Sequence, residues 1–234
     1  MAPILSTEII NYERFQIEKS SLVVTEDMFD PLKIKYIGGL DISFSKTDDQ
    51  ACAFLSIYNL DVNKVICESY NLCKMPIEYV SGCLGLREVP EYIKLVNDIS
   101  RVPCKPQILM IDGFGILHPR GFGSASHVGL VLGIPTIGVA KTLMCIDGLS
   151  EREIKSKFKL ECKTKGSFIN LIGNSGKSYG VALKTSDSAE NPIYVSIGHG
   201  ISLETAIHFV NITSIYKIPE PIRNSDIKSK LYFV

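Results

Sequence analysis

Residues 108–141, ILMIDGFGILHPRGFGSASHVGLVLGIPTIGVAK, decide the fold of this chain. The apolar run Ile108–Ile111 leads directly into Asp112 and a glycine-rich turn, which is typical of a buried strand that ends abruptly. A helix over roughly 123–132 and a strand over 135–140 are predicted to follow. Because a crossover helix joins parallel strands, we expect the two strands of this stretch to run parallel in one sheet.

Asp112 stands where the first of these strands ends, and a carboxylate there needs a physical reason. It must be solvated, hydrogen-bonded or bound to a cation, because an unpaired charge is costly to bury. Ligands of open α/β sheets bind beyond the carboxyl ends of the strands, and Gly113 and Gly115 would let a ligand approach the backbone. Alternatively, Asp112 only caps the turn. A dinucleotide-binding fingerprint is disfavoured, because Leu117 and His118 stand where its third glycine would be.

The composition indicates an ordinary globular protein. The chain has 234 residues, of which 45% are hydrophobic and 21% charged, so residues 1–234 are expected to form a single domain. Its 25 basic and 25 acidic side chains cancel. Any binding of nucleic acid would therefore depend on a local basic cluster and not on the overall charge.

The cysteines and the apolar runs bear on the compartment. The seven cysteines are odd in number and contain no C-x-x-C pair, which argues against a disulfide framework or a cysteine zinc site. The start, MAPILSTEII, lacks a long apolar segment, and no later run reaches the length of a membrane span. We expect a cytoplasmic and also nuclear protein, monomeric and without a membrane partner.

The segments before the central stretch predict a helix and an antiparallel meander. Residues 6–19 predict a short packing helix capped by Ser6 or Thr7. In the strand YIGGLDISFS, Asp41 lies on one face with Ile37, Gly39 and Ser43. The β-rich runs ACAFLSIYNL and KVICESYNLC follow without an intervening helix, so three consecutive antiparallel strands are expected.

The remaining segments alternate between helix and strand. Pro90 is expected in the first turn of a helix that runs to about Ser100, which places Glu88 at or just before the helix start. Ser150 begins a capping-box pattern for another helix. Three strands, SFINLI, YGVALK and PIYVSI, precede a helix from Ser202 to about Asn211 and a last short helix that carries Asp226.

Four acids, Asp41, Glu88, Asp112 and Asp226, are the candidate catalytic residues. If the first and fourth strands are neighbours, Asp41 and Asp112 lie side by side, and like charges so close raise a pKa or require a cation. Carboxylate oxygens suit Mg²⁺ or Mn²⁺. A pair of such ions would activate water and stabilise the leaving oxygen of a phosphodiester.

Five blocks of the sequence resemble the endonuclease V family, whose members act at deaminated purines. They are GGLDISF, EYVSGCLGLREVP, the stretch from Ile111 to Lys141, VSIGHGISLETA and PEPIR, in family order. The resemblance implies an α/β, ribonuclease H-like fold, with a central mixed sheet of an antiparallel three-strand meander plus parallel strands, flanked by helices. It also implies a Mg²⁺-dependent endonuclease, with Mn²⁺ as a substitute, that cuts the second phosphodiester 3′ to inosine and leaves 5′-phosphate ends.

The resemblance assigns roles to individual residues. Asp41, Glu88 and Asp112 match the metal-binding acids of the family, and Asp226 matches the fourth site residue in its animal form. Lys141 matches the lysine that faces the scissile phosphate. The family wedge that enters the helix beside the lesion corresponds to Tyr79, Val80, Ser81 and Gly82.

Base reading is expected to follow from these assignments. An enzyme that reads one base must take it out of the stack, and a single-stranded base is the easiest to extrude. Backbone groups of Gly82, Gly113 and Gly115 could read hypoxanthine, and a pocket with an N–H donor rejects the amine of adenine. His118 and Arg120 are candidate phosphate contacts, whereas His127, His199 and His208 are expected to be structural.

The chain departs from the bacterial pattern in ways that leave alternatives open. Glu78 precedes Tyr79, and Ser81 replaces a proline, as in animal-type members, so inosine in single-stranded RNA is expected as substrate, with deoxyinosine in DNA as a second. Gly85-Leu86 replaces the usual Ala-Phe, which predicts a looser pocket. A non-catalytic reader of inosine-containing RNA is the alternative. Four basic residues could form a local patch or a solvated face: Lys217, Arg223, Lys228 and Lys230.

Overall fold

The structure, a computed structural model, describes residues 2–75, 78–99 and 104–233. Its strands are β1 (Tyr36–Phe44), β2 (Gln50–Asn59), β3 (Lys64–Lys74), β4 (Ile108–Asp112), β5 (Thr136–Ala140), β6 (Phe168–Ile172), β7 (Ser178–Leu183) and β8 (Ile193–His199). Its helices are α1 (Ala2–Ser20), α2 (Leu84–Asp98), α3 (Ser124–Leu132), α4 (Glu151–Glu161), α5 (Leu203–Ile212) and α6 (Glu220–Lys230), with 3₁₀ turns at Pro31–Lys33 and Leu231–Phe233.

The described strands form one eight-stranded mixed sheet in the order β3-β2-β1-β4-β5-β8-β7-β6. The predicted meander is confirmed, since β1, β2 and β3 pair antiparallel. So is the predicted crossover, since β4 and β5 pair in parallel around α3. The order of β6, β7 and β8 could not be read from the sequence, and the last of these strands pairs antiparallel with β5.

The pairing of β1 with β4 sets the position of the candidate site. These strands are parallel neighbours, with Leu40 paired to Ile111, so Asp41 and Asp112 occupy the next step of the same register. The first and fourth strands are therefore neighbours, and Asp41 and Asp112 lie side by side as expected in that case. Both lie at the carboxyl end of the parallel strands, where ligands bind in open α/β sheets.

Both faces of the central strands are buried, because helices cover each of them, whereas the edge strands β3 and β6 are exposed on one face. Leu40 and Leu109 belong to the cluster that packs on α2 and α3. Ile37 and Met110, on the opposite face, belong to the cluster that includes residues of α5 and α6. Parallel strands covered on both faces read as continuous apolar runs, which explains the sequence of β4.

Helix α6 approaches the sheet unusually closely, because small residues line the contact. The backbone of Pro221 lies where a Cβ on Gly39 would be. The Ser225 hydroxyl donates to the Gly39 carbonyl at 2.8 Å and lies 2.7 Å from the Ser56 hydroxyl. These contacts fix the height and rotation of α6 over β1, and thereby the position of its polar side chains.

Two predicted helix starts are wrong. α2 begins at Leu84, so Pro90 lies inside the helix and Glu88 is an interior, buried residue. An interior proline costs about 3 kcal/mol, but here the apolar face that α2 buries outweighs that cost. α1 begins at Ala2, before the predicted caps. The predicted end of α2 at Ser100 lies outside the described residues.

The remaining helices match their sequence signals. The Ser150 and Ser202 hydroxyls accept from the backbone N–H three residues on, as N-cap residues do. All seven cysteines fall in the described part of the chain and are free thiols. None of the described helices combines the length and the apolar character needed to cross a lipid bilayer.

We predict that Gly39→Ala destabilises the protein more than Gly38→Ala. The new methyl at position 39 meets the backbone of Pro221, whereas at position 38 it meets mainly side-chain tips, Leu109 and Leu55 among them, that can shift. Overpacking of this kind costs about 1–3 kcal/mol, and we expect Gly39→Ala at the upper end. Urea unfolding of both variants measures the difference. Equal losses would show that α6 moves freely away from β1.

Candidate active site

Three carboxylates converge at the carboxyl ends of β1 and β4. One oxygen from each of Asp41, Asp112 and Asp226 lies within 4.8 Å of the others. β1 and β4 supply the first two, and α6 brings the third over the sheet. Asp41 is buried, at 7% exposure, and the other two are partly exposed. The acids that the sequence placed far apart therefore share one cleft.

Two lysines balance this negative charge. Lys141, which directly follows β5, places its Nζ 2.6 Å from Asp112 and 3.4 Å from Asp226. Lys230 lies four residues after Asp226 on α6 and donates to both of its oxygens, at 2.8 and 2.9 Å. The open cleft around these charges is also lined by Phe44, Lys46 and Phe233.

The acids of the cluster are electrostatically strained. Burial raises the pKa of Asp41 well above its usual value, and the Asp112 carboxylate raises it further. Burial also opposes ionisation of Asp226, but hydrogen bonding to Lys230 and the charge of Lys141 hold its pKa below the usual value. An oxygen of Asp41 and one of Asp226 lie within 4.8 Å of each other, and the Asp226 charge also raises the pKa of Asp41.

Glu88 lies beside the three aspartates without joining their cluster. Its side chain is 3% exposed, and burial raises its pKa to about 8, against the opposing effect of Arg87. The negative charge of Asp112 also raises the pKa of Glu88. One helical turn on, the phenol of Tyr92 is fully buried, and burial together with the charges of Glu88, Asp41 and Asp112 raises its pKa. Glu88 thus belongs to the same charged region, approached from α2.

The donor set fits a hard divalent cation. All the converging ligand atoms are carboxylate oxygens, the type that Mg²⁺ and Mn²⁺ prefer. The pKa of the buried Asp41 is raised, because its ionised form is unfavourable there. A bound cation would stabilise that ionised form in place of the proton. Asp41, Asp112 and Asp226 are therefore the residues that could hold a metal, with Glu88 adjacent.

A separate recess lies beside the turn after β4. Its wall includes Tyr79, Gly82, Gly85 and Phe114. Tyr79 is 62% exposed at the mouth, as a residue that stacks on a base would be. The segment of Val80 and Ser81 connects it to Gly82, which has a positive φ of 78°. The predicted wedge segment thus forms one rim of this recess.

The structure does not support a phosphate contact for His118 and Arg120. His118 is buried, and its Nε2 lies 3.0 Å from the Gly82 carbonyl. Burial and the nearby Arg120 lower the pKa of His118 to about 4, so the ring is neutral. Arg120 donates to the same carbonyl at 2.6 Å and pairs with Glu13. Both side chains thus bind the Gly82 carbonyl beside the recess, and both residues also line an open groove together with Lys177.

Gly113 and Gly115 are also placed differently from the prediction. The Gly113 N–H donates to the Val139 carbonyl at 3.1 Å, and the Gly115 N–H donates to the Ser196 hydroxyl at 3.0 Å. Both donors are used within the protein, so neither is free to read a base. Gly115 instead allows close packing, since a Cβ there would collide with the backbone of Ile197.

Two residues of the site were missed in the sequence. Lys230 was assigned only to a possible basic patch, although its spacing of four residues from Asp226 on a helix is the signal for an ion pair. Gln16 was assigned to a packing helix, but its buried side chain lines the recess. No local pattern points to Gln16, because its partners lie 66 to 106 residues away in sequence.

Comparison with known proteins decides the family. The model of the Endonuclease V family matches residues 18–227, which is most of the chain. The chain belongs to the endonuclease V family. It is 40% identical to mouse endonuclease V over 202 residues, covering 85% of this chain and 60% of the mouse protein. The chain thus spans less than two thirds of the length of that relative.

Solved structures of endonuclease V agree with the fold. The crystal structure of human ENDOV superposes with a TM-score of 0.90 at 35% identity, covering 96% of this chain and 98% of the human one. Endonuclease V from Ciona intestinalis, in complex with a 24mer DNA containing an inosine followed by a ribo-adenosine, gives a TM-score of 0.91 at 31% identity and covers 97% of this chain and 98% of its own. The ribonuclease H-like fold is confirmed.

The departures from the bacterial endonuclease V pattern have a structural explanation at Gly85. A Cβ at this position would collide with the Tyr12 hydroxyl, which is bonded to His127 Nδ1 at 3.0 Å. The side chain of Tyr12 therefore fills the space that the missing methyl would take. Tyr12 of α1 therefore closes the pocket wall at this point, and the looser pocket stays a prediction.

The four basic residues near the carboxyl end do not form one patch. Lys230 pairs with Asp226 in the cleft, whereas Lys228 pairs with Glu68 on the other side of α6. Arg223 pairs with Glu220 and stacks on the Tyr216 ring. Burial lowers the pKa of Lys217, as do the positive charges of Lys155 and Lys141.

We predict that Asp41→Asn stabilises the metal-free protein at alkaline pH. The pKa of Asp41 is raised on folding, so the folded state keeps its proton to a higher pH than the unfolded chain. Stability therefore falls as the pH rises through that window, and the amide removes the loss. At pH about 8 in chelator we expect a gain of more than about 1 kcal/mol, since one pKa unit is worth about 1.4 kcal/mol.

Urea unfolding at pH about 4 and about 8 tests this, with the exposed Asp61 as the matched control position. Asp61→Asn should behave as the parent at both pH values. Added Mg²⁺ should stabilise the parent but not Asp41→Asn. If Asp41→Asn and the parent are equally stable at both pH values, the cluster is not under electrostatic strain.

Proposed function

We propose that this chain is a Mg²⁺-dependent endonuclease that cleaves the second phosphodiester bond 3′ to inosine in RNA, and also in DNA that contains deoxyinosine. The convergence of Asp41, Asp112 and Asp226 at the ends of parallel strands supports this proposal most directly. The Ciona relative bound to an inosine-containing oligonucleotide supports the substrate class.

The reaction is a hydrolysis in which water attacks phosphorus and the bond to the 3′ oxygen breaks. The products are a 5′-phosphate and a 3′-hydroxyl, so no 2′-hydroxyl takes part as nucleophile. A divalent cation, when bound, lowers the pKa of water and stabilises the leaving oxygen. Asp41, Asp112 and Asp226 would hold it, with Mn²⁺ able to replace Mg²⁺. Glu88, close to Asp112, is the fourth acid of the site.

Lys141 is the cationic residue for the scissile phosphate. Burial works to lower its pKa, but Asp112 and the other acids raise it above the usual value, so the side chain stays protonated. Its Nζ is held among the carboxylates, and the side chain remains 41% exposed to the cleft. A fixed positive charge at that place stabilises the charge that develops on the phosphoryl oxygens in the transition state.

Tyr79 and the recess would take the flipped base. The exposed phenol ring can stack on the base next to the lesion while the recess encloses hypoxanthine. Extrusion costs least from a single strand, which favours single-stranded RNA as the partner. We further propose a monomeric enzyme of the cytoplasm that also enters the nucleus.

A non-catalytic reader of inosine-containing RNA is the second candidate. It would need the recess but not the acids. All four acids are kept in this chain, and each lies in or beside the cleft. Cleavage of an inosine oligonucleotide in Mg²⁺, compared with chelator, separates the two candidates.

We predict that Asp112→Asn and Asp41→Asn each lower cleavage at least about 10³-fold while binding of the inosine substrate in Ca²⁺ stays within about threefold. Loss of a carboxylate removes a metal ligand but leaves the recess intact. Asp61→Asn should cleave as the parent does. Single-turnover cleavage and fluorescence anisotropy provide the two measurements. Parent rates in both active-site variants would rule out the metal assignment.

We also predict that inosine in single-stranded RNA is cleaved faster than deoxyinosine in DNA of the same sequence, by about tenfold. A contact to the 2′-hydroxyl, which only RNA offers, would provide this preference. Matched oligonucleotides, single- and double-stranded, are compared under single-turnover conditions. A parent that cleaves DNA equally well would remove the RNA preference and leave the nuclease assignment intact.

A further inference from the structure

Helix α1 reaches into the wall of the recess through one buried amide. Gln16 is 1% exposed, and its Nε2 donates to the Gly82 carbonyl at 3.1 Å and to the Phe122 carbonyl at 2.8 Å. Its Oε1 accepts from Arg120 Nε at 2.7 Å. Both amide hydrogens and the amide oxygen are therefore used, and none of these groups is free to bind a ligand directly.

The Gly82 carbonyl is surrounded by donors. Besides Gln16, it is contacted by an Arg120 guanidinium nitrogen at 2.6 Å and by His118 Nε2 at 3.0 Å. A carbonyl has two lone pairs, so three neighbours hold it more firmly than a loop carbonyl usually is. Gly82 is a lining residue of the recess and has a φ of 78°, a left-handed conformation that favours glycine.

The direction of that carbonyl matters for base selection. Adenine carries an exocyclic amine, a donor, where hypoxanthine carries an acceptor oxygen. A carbonyl free to turn into the recess would accept from the adenine amine and would repel the hypoxanthine oxygen. A carbonyl held in the wall gives adenine no such partner, and an unpaired buried amine is costly.

We propose that Gln16 is a positioning residue for base selection, which holds the Gly82 carbonyl in the wall of the recess so that adenine finds no acceptor. This inference rests on the proposed function, since it names how that site distinguishes inosine from adenosine. It makes α1 a part of the recognition apparatus. Tyr12 on the same helix contributes to the wall by occupying the space beside Gly85.

Gln16→Leu tests the proposal, because leucine keeps the bulk of the side chain and loses both donors and the acceptor. The measurement is fluorescence anisotropy in Ca²⁺ with two single-stranded oligoribonucleotides that differ only by inosine or adenosine at one position. We expect the ratio of the two dissociation constants to fall about tenfold, with inosine affinity within about threefold of the parent. A merely structural residue would weaken both oligonucleotides equally.

Asn11→Leu is the matched control, since Asn11 lies on the exposed face of α1 and the change is again amide to leucine. It should keep the parent ratio. Gln16→Glu is the second variant in case Gln16→Leu does not fold. It keeps an acceptor for Arg120 but loses both donors, and we expect its ratio to fall about threefold or more.

The outcomes separate the two proposals. If the parent prefers inosine and the folded Gln16 variants keep its ratio, or lose affinity for both oligonucleotides equally, the positioning role is overturned. If the parent neither prefers nor cleaves inosine, the proposed function itself fails. A fall in the ratio for Gln16→Leu or Gln16→Glu, with Asn11→Leu unchanged, supports the role of Gln16.

Discussion

Repulsion between carboxylates at the ends of neighbouring parallel strands is the constraint on which this structure depends. Asp41 and Asp112 lie side by side because β1 and β4 pair in parallel, and burial makes their negative charges costly. The next strand in the sheet supplies the opposing charge, since Lys141 directly follows β5 and pairs with Asp112. Three adjacent strands thus deliver two acids and one lysine to the same edge, where the carboxylates could hold a cation.

The third aspartate arrives by close packing and not by strand order. Gly39 has no side chain to hold α6 away, and the Ser43 and Ser229 hydroxyls meet at 2.7 Å between strand and helix. These small residues let the helix settle directly on β1, which lowers Asp226 to the level of Asp41. Gly39, Asp41 and Ser43 lie on the same face of β1, so Asp41 stands between the two small residues that let α6 approach the strand.

Much of this arrangement could be predicted, because local signals specify it. Apolar runs and turn residues predicted most elements, whereas the pairing of β1 with β4 was only a condition for Asp41 and Asp112 to meet, and the structure supplies it. The start of α2 was predicted wrongly, because proline is disfavoured inside an isolated helix. In this protein the apolar face that α2 buries lets the helix begin at Leu84 and contain Pro90. The inward direction of Arg120, and the role of Gln16, could not be predicted, since their contacts join segments far apart in sequence.

The recess and the cleft share no lining residue, but the short turn after β4 contributes one residue to each of them. Asp112 lines the cleft, and Phe114, two residues later, lines the recess. The turn between them is rigid, because the N–H groups of Gly113 and Gly115 are bonded to neighbouring strands. A base held in the recess therefore lies at a fixed offset from the carboxylates. The proposed cleavage at a bond removed from the recognised nucleotide would require such an offset, and the hydrogen bonds of Gly113 and Gly115 would maintain it.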